Sequence, residues 1–313
     1  MTHRPPPDHR LLHPTAASRR TVLCALALSL VACASEPPPL PPGPGPREVA
    51  GASFLLLGEV HDNPAHHQLR AALLAQLLAD RRPTLVLFEQ MGSQHDAALR
   101  IAQEPWSRRA AQDWTAGSLT EVADTIADAG RLDRRGWGWP LHRPLIEAAM
   151  RFAAPIRGAN LESEVVRSVV RQGLAAAPAD VREAIERDRS WTPAQQAALE
   201  REIELGHCNA LPATMIAPMV LAQRARDTAM ALAMQRAARD VPGARVVLIA
   251  GNGHVRRDIG VPHVLQSLGV EASTVVAVGY LEPGRPSTGF DHVGLAYPPP
   301  HRPDPCEAFK RRS

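Results

Sequence analysis

Four short apolar runs, residues 53–57, 84–88, 156–159 and 245–250, are each followed at once by a polar, turn-forming segment. Runs of this length bounded by turns read as strands buried on both faces, and helical text separates them. Such alternation folds as an α/β domain, a mostly parallel sheet flanked by helices. A fifth strand, 274–278, follows a helix over 261–268, so the sheet is expected from residues 53–57, 84–88, 155–159, 245–250 and 274–278. The first crossover helix, 65–81, has Asn63 as its N-cap and Pro64 in its first turn, both of which favour helix initiation.

Between Asn160 and Ala244 the strand signal disappears, so residues 162–240 are expected to form a smaller all-helical subdomain. Thr192-Pro193-Ala194-Gln195 is a capping box that starts a helix ending near Gly206. A longer helix covers 213–239, and its Met215, Met219, Met230 and Met234 are read as core packing. Residues 92–140 are a second strand-free stretch. The whole α/β domain is placed at 51–295.

The first fifty residues read as an address. Paired arginines Arg19-Arg20 open an uncharged apolar run of about ten residues, too short to span a bilayer. The run ends in Leu30-Val31-Ala32-Cys33, the order of a lipobox, which makes 1–32 a twin-arginine-like lipoprotein signal peptide and Cys33 the lipidation site. Residues 33–50 are Pro-rich and expected to be an extended tether, with the domain lipid-anchored to the membrane in the cell envelope. Loss of Cys24 and acylation of Cys33 leave Cys208 and Cys306. In an oxidising compartment these two suggest one disulfide pinning the Pro-rich tail, 296–313, to the body; two unpaired thiols are the alternative.

The 313-residue chain carries a formal charge of +3. Its signal segment holds four arginines and one acid, and removing it leaves 31 basic against 31 acidic residues. A neutral body with 4% aromatic residues lacks both the basic excess and the stacking platforms of a nucleic-acid binder. No G-x-S-x-G elbow, phosphate-cradling loop or paired C-x-x-C motif occurs.

The strand ends carry the chemistry. The first strand runs into Gly58-Glu59-Val60-His61, the second into Glu89-Gln90, the third into Asn160-Leu161-Glu162 and the fourth into Gly251-Asn252-Gly253-His254. In a parallel sheet these ends share one edge, where open α/β folds bind ligands. Glu59, His61, Glu89 and His254 would suit a divalent ion of the zinc or manganese type, with Glu59 or Glu89 able to take a proton from bound water. The bland alternative is that they are ordinary polar strand ends. Arg143 and His207 are further candidates for the same cleft. One of His66 and His67 is expected to face solvent, and Asp227 is a weaker candidate on the long helix, with a surface ion pair to Arg224 or Arg226 as its alternative.

Leu57-Gly58-Glu59-Val60-His61-Asp62-Asn63-Pro64, Phe88-Glu89-Gln90, Trp139-Pro140 with Arg143-Pro144-Leu145, Ala225-Arg226-Asp227 and Ala250-Gly251-Asn252-Gly253-His254 resemble, in order, the ChaN family of haem-binding lipoproteins. The resemblance implies an erythromycin-esterase/ChaN-like fold, haem as cofactor and a role in haem or iron uptake. It brings in as partners a second copy of the chain and an outer-membrane haem receptor. The wider superfamily includes Tiki-type metalloproteases with a paired G-x-x-H pattern, so a metal-dependent esterase or protease is the alternative function. Haem contacts are expected from His61, His142, Arg143, His207 and His254. His142 stands where the family pattern is expected to have an aromatic residue, and so becomes the expected axial ligand, with Arg143 on a propionate; a surface position near a helix start is its alternative.

Overall fold

Because each apolar run is flanked by helices on both sides, it can be buried only if both faces of the sheet are covered, and this is what the computed structural model shows. It describes residues 39–304, 306 and 307. The signal segment 1–32, Cys33 and the first part of the tether lie outside the described residues, as do the last six residues of the tail.

Six parallel strands, β1 (Phe54–Leu57), β2 (Thr84–Gly92), β3 (Ile156–Asn160), β4 (Arg245–Ile249), β5 (Val275–Leu281) and β6 (His292–Leu295), form one sheet in the order β3-β2-β4-β1-β5-β6. The helices are α1 (Pro46–Val49), α2 (Pro64–Leu78), α3 (Asp96–Gln103), α4 (Ala116–Ala129), α5 (Arg143–Arg151), α6 (Ser163–Gln172), α7 (Ala179–Arg187), α8 (Pro193–Gly206), α9 (Ala213–Asp240), α10 (Asn252–Val255) and α11 (Val261–Ser267). Leu55, Leu57, Val86, Phe88, Val247 and Ile249 pack against α2, α4 and α5, while Leu56, Leu87, Val246 and Leu248 pack against α9 and α11. Each fully buried side chain of this size stabilises the fold by roughly 1.5–3 kcal/mol.

Asn63 caps α2 as its sequence position implies, accepting from the Ala65 amide at 3.1 Å. The capping box at Thr192 also forms. The helical region is joined to the sheet through α9. Its first half carries α6, α7 and α8 on two small apolar clusters, and its second half lays Met230 and Met234 on the sheet.

Three features differ from expectation. β6 has no counterpart among the expected strands. Residues 41–45 are not free tether: the Leu295 amide donates to the Pro41 carbonyl, Gly43 lies against Gly294, and Val49 is buried in the core. His66 and His67 are both buried.

Candidate functional site

The chain leaves β1 toward β2 and leaves β4 toward β5, in opposite directions along the sheet. Because α2 after β1 packs on one face and α11 after β4 on the other, these adjacent strands open a crevice at their carboxyl ends. Here it is a cleft of about 1140 Å³ with Glu59, His61, Glu89 and His254 on its floor and Leu199, Ile203 and His207 of the α8 side on its wall. Arg302 and Cys306 of the tail also line it. Cys306 is disulfide-bonded to Cys208, with their Cα atoms 5.6 Å apart.

An irregularity in β2 delivers Glu89. β2 and β3 stay in register to Phe88 opposite Gly158, then the next pair is Gly92 opposite Asn160, so β2 inserts extra residues. The insertion throws Glu89 and Gln90 toward the cleft. Gly158 permits it, because a Cβ there would stand 2.2 Å from the Gly92 carbonyl oxygen.

Two charged hubs lie under the cleft. In the first, the buried Glu59 carboxylate accepts from Nδ1 of His61 at 2.7 Å and from Nε2 of His142 at 3.3 Å, and its other oxygen pairs with the guanidinium of Arg70. Arg70 in turn donates to the Leu57 carbonyl and to Nδ1 of His67. Nε2 of His67 donates to the His61 carbonyl at 2.9 Å, which fixes its tautomer. Burial lowers the pKa of His67 to about 4 and holds that of His142 well below its ordinary value.

In the second hub, Glu89 accepts from the Gly251 amide at 2.8 Å and pairs with Arg226 and with Nε2 of His254. Nδ1 of His254 donates to Asp227 at 2.6 Å. Burial alone would lower the His254 pKa, but the carboxylates of Glu89 and Asp227 raise it to about 9, so the ring is an imidazolium with both N–H groups committed. His254 and Arg226 outweigh burial at Glu89 and hold its pKa well below the usual range.

His61 differs from every other histidine of the floor. Its side chain is half exposed in the cleft and its ring stands edge-on to Trp137 at 4.8 Å. Desolvation is the main cause lowering its pKa, which keeps the ring neutral. With Nδ1–H committed to Glu59, Nε2 carries the lone pair.

The expected metal quartet is therefore corrected. Glu59, His61, Glu89 and His254 share the cleft, but their ligand atoms do not converge on one ion. Among the described residues the only triad of close ligand atoms is Glu59, His67 and His142, and Arg70 already neutralises it. Both ring nitrogens of His254 already face carboxylates, Nε2 that of Glu89 and Nδ1 that of Asp227. His142 is corrected as well: it is fully buried behind Glu59, packed on His67 at 4.5 Å, and is not on the cleft surface. Arg143 pairs with Asp124 and stacks on Trp139, outside the cleft lining. His207 does line the cleft, with Nδ1 donating to the Ile203 carbonyl. Asp227 is no surface ion pair but the buried partner of His254. Arg70 escaped sequence reasoning, its one signal being helical spacing three residues after His67, and Arg226, read only as a partner for Asp227, pairs with Glu89.

The model of a protein family described as "Haem-binding uptake, Tiki superfamily, ChaN" matches residues 46–265. No curated protein sequence matches. Among solved structures, one described as cofacial haem binding to ChaN of Campylobacter jejuni is 22% identical with a TM-score of 0.61, covering 79% of this chain and 89% of that one. The type III effector HopBA1 is 13% identical with a TM-score of 0.42, covering 82% and 94%. An erythromycin esterase in its open conformation is 14% identical with a TM-score of 0.40, covering 80% and 78%. The first shares the fold.

Proposed function

The chain belongs to the ChaN family of the Tiki superfamily, and from that premise we propose that it binds haem in the strand-end cleft with His61 as the axial ligand. The observation that carries the reading is His61 itself, the half-exposed neutral imidazole of the floor whose Nδ1 is tied to a buried carboxylate and whose Nε2 is left for iron. The cleft suits a flat, apolar macrocycle. Leu161, Val166, Leu199 and Ile203 line its walls, and exposed Arg131 and Arg285 bring positive charge for propionates. Its volume, about 1140 Å³, lies above the ~300–1,000 Å³ of ordinary small-ligand sites.

Neither tyrosine lines the cleft, since Tyr280 is buried on the α2 side of the sheet and Tyr297 lies in the tail. This leaves imidazole as the iron ligand, which moves the role expected of His142 to His61. Haem when bound supplies iron for ligation or transport. The chain's own residues hold it, orient it and screen one face from water. A metal-dependent esterase or protease is not favoured, because Glu59 and Glu89 each already hold an arginine.

With the lipobox at Cys33, the protein is an envelope lipoprotein that hands haem onward in iron uptake, meeting an outer-membrane receptor or a second copy of itself. Ferric haem titrated into the purified chain should give a saturable Soret shift of imidazole type, and His61→Ala should displace that band. No saturable shift in the wild type would overturn the reading.

A further inference from the structure

We infer that Glu59 is not a ligand but a positioning residue, a fixed buried anion that sets the tautomer of His61 and strengthens Nε2 as a donor to ferric iron. The inference rests on the haem reading and deepens it.

A carboxylate out of water needs a partner charge, and Arg70, equally buried, supplies it. Arg70 is anchored to the Leu57 carbonyl at 3.2 Å, the last residue of β1, so the anion is held at the end of the strand that leads into His61. The Glu59–His61 bond, at 2.7 Å, is the short one; the bond from His142, at 3.3 Å, is weaker. A histidine whose far N–H meets a carboxylate is locked in one tautomer and is a more basic ligand at its other nitrogen. Such a ligand favours Fe(III) over Fe(II). Arg70 and His142 draw on the same carboxylate, so they temper the effect, and removing His142 should release more of it to His61.

The two arms of the test separate this inference from the haem reading. Without haem, nitrogen-15 NMR of the His61 ring should show the Nδ1–H tautomer in the wild-type protein and a mixture in Glu59→Gln; an Nε2–H tautomer in the wild type would overturn the inference whatever the protein binds. With haem, Glu59→Gln keeps an acceptor of the same shape but removes the charge. Its ferric affinity should fall about 10–100-fold, as for other partners behind a metal ligand. The ferrous affinity should fall less. A tenfold loss in the ferric-to-ferrous ratio raises the one-electron potential by about 59 mV, read by spectroelectrochemistry. His142→Leu should shift the potential the other way. Should Glu59→Gln not fold, His61→Gly supplied in turn with imidazole and with 1-methylimidazole, which has no N–H to give Glu59, replaces it: a higher potential with the methylated ligand supports the inference, and equal potentials overturn it. An unmoved potential in Glu59→Gln with an unchanged Soret band also overturns it, and leaves haem binding standing.

Discussion

At the scale of single residues, the site depends on a glycine as much as on its histidine. A Cβ on Gly251 would lie 2.8 Å from Cε1 and 3.3 Å from Nε2 of His61, so any larger residue must turn the ring. The backbone at 251 is extended, with φ −69° and ψ 154°, which alanine adopts freely. Gly251→Ala is therefore expected to separate two properties. Stability should hold or rise by about 0.4–1 kcal/mol through the unfolded chain, while haem affinity falls by at least tenfold, about 1.4 kcal/mol. Paired urea unfolding and haem titration measure both, and parallel losses would show that the glycine serves the fold instead. The four floor residues were legible because each lies in the short polar turn that follows an apolar run. Asp227 could be read only as a weaker candidate, because Arg224 and Arg226 flank it on a helix and nothing local says which face of α9 meets the sheet.

The elements explain how these residues meet. A Cβ on Gly158 would collide with backbone, 2.2 Å from the Gly92 oxygen and 2.6 Å from its carbon, and neither can step aside. Gly158→Ala should thus cost roughly 1–3 kcal/mol and displace Glu89 with the insertion in β2, so that both the urea midpoint and haem uptake fall. At the tail, the Cys208–Cys306 link closes a sequence separation of 98 residues. Its loss in Cys306→Ser is expected to remove about 2–4 kcal/mol, seen as a lower urea midpoint that reducing agent reproduces in the wild type and not in the variant. Arg302, bound to Asp62 at 2.7 Å and Glu282 at 2.5 Å, holds the same tail to the sheet side of the cleft. Five strands were legible from their apolar runs and bounding turns. β6 was not, because His292-Val293-Gly294-Leu295 lacks such a run and is made a strand by partners far away, β5 on one side and Pro41 on the other. The reach of the tether was misjudged for the same reason: proline excludes ladder donors, yet the Pro41 carbonyl remains a good acceptor.

For the molecule as a whole, covering both faces of one parallel sheet places several histidines where water cannot follow, and stability becomes a function of pH. His66 is held by the Val60 amide at Nδ1 and the Leu281 carbonyl at Nε2, an arrangement only the neutral ring can satisfy. Burial lowers the pKa of His66 and of His67 from 6.5 to about 4. Between these values the unfolded chain binds protons that the native protein refuses, so stability falls as pH drops from about 6.5 to about 4, by about 3 kcal/mol for each ring. Together that rivals the ~5–15 kcal/mol of a typical domain. His254 has the opposite sign. Its folded pKa is raised to about 9, so its contribution is complete below about 6.5 and is lost as pH climbs toward 9. Urea midpoints measured from pH 4 to 9 should therefore trace a dome with its maximum near 6.5. His254→Gln should flatten the alkaline limb and leave the acid limb in place. A wild-type profile that stays level from pH 6.5 down to 4.5 would mean that His66 and His67 are reached by water in solution, and that the packing of α2 against the end of β5 is looser than their hydrogen bonds describe.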